Sequence, residues 1–374
     1  MKIGIDARMY GPSVTGIGNY VKNLTENLLR LDHDNDYYFF IYGKNANLLK
    51  NIPKTAHLII CDIPWYTYKE QTQYAKILSR YKLDVMHFTN FNIPIFYPRK
   101  ILVTIHDLTP RFFPGKKVQK SFFRKTAYEL VLRAALRRSK YIITVSEFTK
   151  AEIIRYYCVP NDKIKVIYLG FSKYFQKIEN YGTIHQLKKE FNILYPYIFY
   201  TGVWRPHKNI YGLIDTFEVL LRKNNSQLNL VIGGEDKDYQ SQIFEYIRNK
   251  NLEKFVIFPG FLNERKLASF YQGARVTVIP SFREGFGLIG VEALACGCPV
   301  AASDTTSVPE ILQNAALYFN PKDINNMSDT VQTLLSDEGM RNKILSNSVP
   351  VLKNYRWDSC AKRTIELYRK AMQA

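Results

Sequence analysis

The stretch that most constrains the fold runs from Arg275 to Ser303, because it reads as one strand–loop–helix–strand unit. Val276, Val278 and Ile279 form a short β-branched run, a glycine-punctuated loop follows, and the spacing then predicts a helix over Leu288–Cys296 and a strand at Val300–Ala302. Gly297 stands where a helix needs a left-handed C-terminal residue, and Pro299 forbids continuation.

The loop carries the chemistry. Gly285 and Gly287 allow close backbone approach to a ligand, and the helix start that follows offers amide groups to an anion. Glu284 lies just before that start and Glu292 within the helix. Carboxylates beside a phosphate site make sense when the ligand also carries hydroxyls or a developing cation, and a nucleotide sugar has all three features. Taken alone, the stretch is also compatible with an ordinary βαβ turn.

With 374 residues the chain is too long for one ordinary core and points to two domains, expected at 1–178 and 179–357. No run of eighteen uncharged apolar residues is present, and the first residues, Met-Lys-Ile-Gly-Ile-Asp-Ala, lack a signal-peptide core. A cytoplasmic location is expected. Five cysteines at 61, 158, 296, 298 and 360 have neither disulfide nor zinc spacing, so they are expected as small core residues.

The net charge of +19 is uneven: residues 1–178 hold 29 Lys+Arg against 13 Asp+Glu, a balance of +16, and the remainder holds 23 against 20. The first half therefore faces something anionic. Within it, Arg111–Lys140 carries ten Lys+Arg and one acid, Glu129, interleaved with Phe112, Phe113, Phe122, Phe123 and Tyr128. From about Val118 the apolar spacing at Phe123, Ala127, Leu130, Val131 and Ala134 predicts a helix. Such a segment suits an anionic membrane surface, or is simply a solvated basic face. Nucleic acid is disfavoured because no reading motif accompanies the charge.

In chain order, strands are expected at Lys2–Asp6, Tyr37–Tyr42, His57–Cys61, Val85–Phe88, Ile101–Ile105, Ile142–Val145 and Ile164–Ile167. After a linker over Gln176–Thr183 they resume at Tyr197–Thr201, Leu228–Gly233 and Val256–Phe258. Alternation of strands with helices predicts an α/β chain of two doubly wound, Rossmann-like domains facing across a cleft, with ligands at the carboxyl ends of the strands. The first strand runs into a loop with Gly11, Pro12, Ser13, Thr15, Gly16 and Gly18. That loop lacks the third glycine and the acidic partner of a dinucleotide site, so NAD is excluded, and either phosphate approach or a plain turn remains. Other strand ends carry His87-Phe-Thr89-Asn90 and His106-Asp107-Leu-Thr109. His106 is expected to face a cleft or to be a structural histidine. Tyr197–Thr201 leads into Gly202-Val-Trp-Arg205-Pro-His-Lys208-Asn209, and two cations three residues apart are placed to neutralise a diphosphate.

Gly202-x-x-Arg205-x-x-Lys208-Asn209, Glu284 and Glu292 with seven residues between them, Gly297-x-Pro-Val-Ala-x-Ser and Pro309-Glu310 together resemble the retaining glycosyltransferases of family 4, with the GT-B fold. The resemblance implies that Arg205 and Lys208 bind the donor diphosphate and stabilise it as leaving group, that Glu284 contacts the transferred sugar's hydroxyls, and that Glu292 holds the ribose. It implies that Gly285, Phe286, Gly287 and Leu288 present backbone groups to the donor, that Gly16 with Gly18 closes over the phosphates, and that His106 lies near the sugar's reacting face. It implies a final helix, Asp358–Ala374, packed back on the first domain, and transfer with retention by same-face attack.

No metal and no cofactor are expected beyond the donor, since two cations, Arg205 and Lys208, are placed to meet the diphosphate. Ile-Asp-Ala-Arg at the start, Thr-Ile-His-Asp-Leu and Ser-x-x-x-x-Val-Pro-Glu resemble the mannosyltransferases that use GDP-mannose, and that resemblance implies GDP-mannose as donor in preference to UDP sugars. The expected acceptor is a glycan or polyprenyl-diphosphate-linked saccharide of surface polysaccharide or O-antigen assembly, met at the inner face of the membrane. Competing readings are a non-hydrolysing sugar-nucleotide epimerase and a nucleotide-sugar-binding protein without turnover.

Overall fold

The computed structural model describes residues 1–11, 15–49, 52–116, 121–176 and 181–373. Pro12, Ser13, Val118 and the middle of the expected linker lie outside these residues. The chain divides into two compact units, Met1–Gly170 with Arg356–Ala374, and Phe171–Tyr355.

Among the described residues the first unit holds seven strands: β1 (Lys2–Asp6), β2 (Asp36–Ile41), β3 (Ala56–Ile60), β4 (Val85–Phe88), β5 (Ile101–Ile105), β6 (Tyr141–Thr144) and β7 (Ile164–Val166). The second holds six: β8 (Tyr197–Thr201), β9 (Asn229–Gly233), β10 (Val256–Ile257), β11 (Val276–Ile279), β12 (Val300–Ser303) and β13 (Leu317–Phe319). Their orders are β3-β2-β1-β4-β5-β6-β7 and β10-β9-β8-β11-β12-β13. Every described pairing is parallel, for example Ile3 with Tyr37, Ile5 with His87, and Ile198 with both Leu230 and Val276. Each sheet is thus doubly wound, with one point where the chain reverses its direction of travel: between β1 and β4, and between β8 and β11. Loops leaving those neighbouring strands part in opposite directions and open a crevice at the carboxyl ends. Residues of β5, β8 and β9 are buried throughout, as expected of parallel strands covered by helices on both faces.

The unit boundary falls eight residues before the expected position 178, and two contacts explain it. A Cβ on Gly170 would stand 2.2 Å from the backbone nitrogen of Trp357, so the chain up to Gly170 is tied to the returning C-terminal segment. Phe175 is already buried against Tyr271, with ring centroids 6.0 Å apart, which places it in the second unit. The last helix, Trp357–Gln373, packs on the Thr15–Leu31 helix and sends the Tyr368 hydroxyl to His87 Nδ1 at 2.7 Å. His87 is fully buried, and its other nitrogen is 2.8 Å from Thr104 Oγ1. It is an interior histidine, kept neutral by burial, which pulls its pKa down to about 3.

The basic helix spans Phe122–Arg138, N-capped by Ser121, and its buried residues are Leu132, Ala135 and Leu136. Phe123 and Leu130 are 84% and 58% exposed, and Phe122 is 78% exposed. One expectation is corrected. Cys158 is exposed at the left-handed C-terminus of the Glu147–Tyr157 helix and is no core residue, whereas Cys61, Cys296, Cys298 and Cys360 are buried; all five are free thiols.

Because the Gly170 contact is with backbone, it cannot be relieved by a rotamer change. Gly170→Ala should cost about 1–3 kcal/mol by overpacking, read calorimetrically as a melting temperature lower by several degrees. An unchanged melting temperature would show that the last helix is not anchored there.

Candidate active site

The crevice between β8 and β11 is built by two short loops stitched together. After Thr201 the chain passes Gly202 and makes one tight 3-10 turn at Pro206–Lys208, ended by Asn209 in the left-handed region at φ 54°. The Asn209 side chain donates to Pro321 O at 2.9 Å, and the Phe282 amide donates to His207 O at 2.8 Å. The turn is therefore fixed against the loop that follows β11.

This stitching brings Lys208 Nζ to 2.7 and 2.8 Å from the two oxygens of Glu284. Their side chains are 13% and 10% exposed. Ser281 Oγ donates to Glu284 Oε1 at 2.7 Å, the Glu284 amide donates to Thr306 Oγ1 at 3.1 Å, and Ser307 Oγ donates to Glu284 O at 3.0 Å. Burial by itself would raise the Glu284 carboxyl; the Lys208 charge and hydrogen bond, with Ser281, outweigh it and hold the group below the usual carboxylate range. Thr306 pays for its position with backbone strain: at φ 57° it is a β-branched residue in the left-handed region, a conformation costing about 1–3 kcal/mol.

The two expected diphosphate cations have different settings. Lys208 is committed to Glu284, whereas Arg205 is 60% exposed and lies 3.5 Å from Asp236. A further cation, Arg283, sits beside Glu284 and is only 8% exposed. Sequence reasoning passed over it because nothing in an irregular loop distinguishes a buried arginine from a surface one. Ser281, Thr306, Ser307 and Asn209 were missed for the same reason.

Gly285, Phe286 and Gly287 are buried, and Leu288 is partly exposed. Phe286 packs edge-on against Tyr355 with centroids 5.4 Å apart, and Gly287, at φ 87°, begins the Leu288–Ala295 helix. The helix ends as anticipated on Gly297 at φ 77°, with Gly297 N bonded to Leu294 O and Cys298 N to Ala293 O, a Schellman closure. Glu292 lies inside this helix, 7% exposed, accepting from the Tyr271 hydroxyl at 3.2 Å. Burial pushes its carboxyl up to about 8. Beside the turn, a Cβ on Gly234 would meet Gly202 O at 2.1 Å, so the loops after β8 and β9 touch backbone to backbone.

Gly16, Gly18 and His106 belong to the first unit. The glycines do not form the loop expected of them: both lie in the first turn of the Thr15–Leu31 helix, Gly16 exposed with open space where a Cβ would stand, Gly18 buried. The turn residues Pro12 and Ser13 are outside the described residues. His106 ends β5 with Nε2 2.9 Å from Thr89 O. A carbonyl only accepts, so Nε2 carries the proton, and burial lowers the ring's pKa, leaving it neutral with Nδ1 as acceptor. Tyr20 meets the ring edge-on at 4.8 Å.

Residues 14–172 match the family described as Glycosyltransferase Family 4, and residues 184–348 match Glycosyl transferases group 1. The chain carries both of these glycosyltransferase domains, and it is a glycosyltransferase. Among its relatives, O-antigen chain mannosyltransferase B of Escherichia coli is 29% identical over 299 residues, 79% of this chain and 76% of that protein. O-antigen chain mannosyltransferase RfbU of Salmonella typhimurium is 29% identical over 288 residues, 77% and 74% of the two chains. The fold matches sucrose-phosphate synthase of Thermosynechococcus elongatus (TM-score 0.79, 21% identity, 99% and 98% covered) and Anabaena HepE in complex with UDP and glucose (TM-score 0.80, 18% identity, 99% and 100% covered). The two Rossmann-like units are those of a GT-B glycosyltransferase.

In this glycosyltransferase the Glu292 environment has a measurable sign. An unfolded glutamate ionises near 4.3, roughly, whereas folded Glu292 keeps its proton to about 8. Between those values the folded state binds one more proton, so stability falls as pH rises through the window. Glu292→Gln removes this slope, and its melting temperature should gain on the parent's steadily from pH 5 to pH 8.5. A difference constant across that range would show that Glu292 ionises normally.

Proposed function

We propose that the enzyme transfers mannose from GDP-mannose, with retention and without a metal ion, to a polyprenyl-diphosphate-linked glycan in surface polysaccharide assembly. The observation that carries this reading is the Lys208–Glu284 pair at the crevice of the second sheet. An ammonium and an ionised carboxylate held against each other are a matched pair for a ligand that is anionic at one end and hydroxylated at the other. On donor binding the diphosphate takes Lys208 and the sugar hydroxyls take Glu284. Positive charge at Lys208, supported by Arg205, then gains in worth as the glycosidic bond breaks and charge builds on the leaving diphosphate. That cationic charge does the work a divalent ion performs elsewhere.

Glu292 takes the ribose hydroxyls, and the backbone of Gly285, Phe286, Gly287 and Leu288 faces the phosphates or sugar. In the first unit His106 serves the reacting face and Gly16 with Gly18 the phosphates. The acceptor attacks the face from which diphosphate leaves, and a donor phosphate oxygen takes the acceptor's proton. The mannosyltransferase relatives support the choice of sugar and of polysaccharide assembly.

The lipid-linked acceptor requires approach to the inner face of the cytoplasmic membrane. No helix among the described residues is long and apolar enough to cross one. The Phe122–Arg138 helix instead offers exposed Phe122, Phe123 and Leu130 beside Arg124, Lys125 and Arg133. Each cation near anionic headgroups contributes about 1 kcal/mol.

A thermal-shift panel of GDP, UDP and ADP sugars tests the donor. GDP-mannose at 100 times its dissociation constant should stabilise by about 2.7 kcal/mol. Lys208→Ala should lower transfer about 10²–10³-fold, on the scale of losing one preorganised charge-stabilising group, and EDTA should leave the parent's turnover unchanged. Release of epimerised donor without acceptor, or donor binding without transfer, would overturn the reading. Flotation with anionic liposomes should weaken as salt rises; no flotation at low salt would remove the membrane from the account.

A further inference from the structure

The first sheet has its own crevice, between β1 and β4, and an aromatic loop stands there with no part in the donor chemistry. The loop after β3 reads Pro64-Trp65-Tyr66-Thr67-Tyr68. Tyr66 and Tyr68 are 57% and 81% exposed. Tyr66 is also a backbone outlier at φ 61°, a conformation that a bulky residue rarely adopts and that marks functional sites when its surroundings enforce it.

The surroundings do enforce it. The Tyr66 amide donates to Glu70 Oε2 at 2.9 Å, its hydroxyl accepts from Asn90 Nδ2 at 3.0 Å, and its ring stacks on Phe91 at 5.6 Å with 24° between planes. Glu70 is itself fixed: its other oxygen accepts from Arg8 Nη2 at 2.6 Å and Asn92 Nδ2 at 2.8 Å. Arg8 in turn forks onto Asp6 through Nε and Nη2 at 2.9 and 2.7 Å and lies 3.9 Å over the Tyr74 ring. Glu70 opens the π-helical turn Glu70–Tyr74, a local irregularity that recurs at functional sites. A buried ionic cluster at the end of β1 thus holds an exposed aromatic ring in a strained posture.

Asn90 connects this ring to the histidine. It directly follows Thr89, whose carbonyl receives His106 Nε2–H and whose hydroxyl donates to Asp6 O at 2.7 Å. The ring, the histidine and the ionic cluster therefore share the carboxyl ends of β1, β4 and β5, where ligands of doubly wound sheets bind.

We propose that Tyr66 is the stacking platform of a saccharide subsite for the acceptor glycan, a role that rests on the transfer reaction proposed above. A rigid aromatic ring presents a negative π-face to the C–H groups on the flat side of a pyranose. The polar groups around it, Asn90, Thr67 and the phenol itself, suit hydroxyls rather than acyl chains. A membrane anchor would need neither a strained backbone nor a hydrogen bond on the ring's polar tip.

Saturation-transfer NMR with a soluble α-linked mannose oligosaccharide, on the whole chain without donor, tests the site independently of turnover. Binding is expected for the parent and for Tyr66→Phe, and a loss of at least tenfold in affinity for Tyr66→Ala. Tyr66→Leu, which keeps bulk without a π-face, should lose affinity as well and serves if the alanine variant does not fold. Where transfer is measured, Tyr66→Ala should raise the acceptor KM at least tenfold with the donor's thermal shift and liposome flotation unchanged. No oligosaccharide binding by the parent, binding undiminished in Tyr66→Ala and Tyr66→Leu, or lost flotation with unchanged acceptor KM would each overturn the proposal. Failure of the transfer reading shows separately, as a parent without any nucleotide-sugar thermal shift.

Discussion

An ammonium and a carboxylate nearly removed from water, Lys208 and Glu284, set the terms for the second unit. Such a pair gives up hydration, and its mutual attraction repays that loss only when geometry and further hydrogen bonds are good. The surrounding loops meet this condition. Ser281 donates to the carboxylate, Thr306 and Ser307 hold the Glu284 backbone, and the amide of Phe282 locks the loop onto the turn that carries Lys208. The strain at Thr306 is comprehensible as part of that arrangement, since its hydroxyl is what the Glu284 amide needs.

The contrast between the two glutamates follows from their neighbours. Both are buried, yet Glu284 has a cation in contact and is held ionised, while Glu292 accepts from the Tyr271 hydroxyl and keeps its proton to about 8. One residue type at two positions of one loop–helix element thus carries two protonation states near neutral pH. In the proposed reaction the ionised group meets the transferred sugar, and the protonated one can donate to or accept from a ribose hydroxyl.

Most of the fold was legible in the sequence because parallel strands buried on both faces are written as short, continuous apolar runs. Lys2–Asp6, Val85–Phe88, Ile101–Ile105 and Tyr197–Thr201 were bounded to the residue. Leu317–Phe319 was not found, since three residues are too few to show a period. Gly16 and Gly18 were placed in a loop although a helix starts at Thr15. Within the candidate site, Lys208 and Glu284 could be named because their spacing matches a family pattern, but the contact between them depends on which strands neighbour each other, β8 beside β11, and no local pattern reports that. The Tyr66 platform was invisible for a related reason: its bracing residues, Glu70 and Asn90, acquire their role only when β1, β3 and β4 are assembled.

The central claim is that Lys208 and Glu284 act on the donor as one unit. A double-mutant cycle on kcat/KM for the nucleotide sugar, using Lys208→Met, Glu284→Gln and the two combined, measures this directly. Residues acting as a unit should show a coupling of about 1–3 kcal/mol, with the double variant little worse than the poorer single one. Losses that simply add, or single variants that transfer as fast as the parent, would contradict the account.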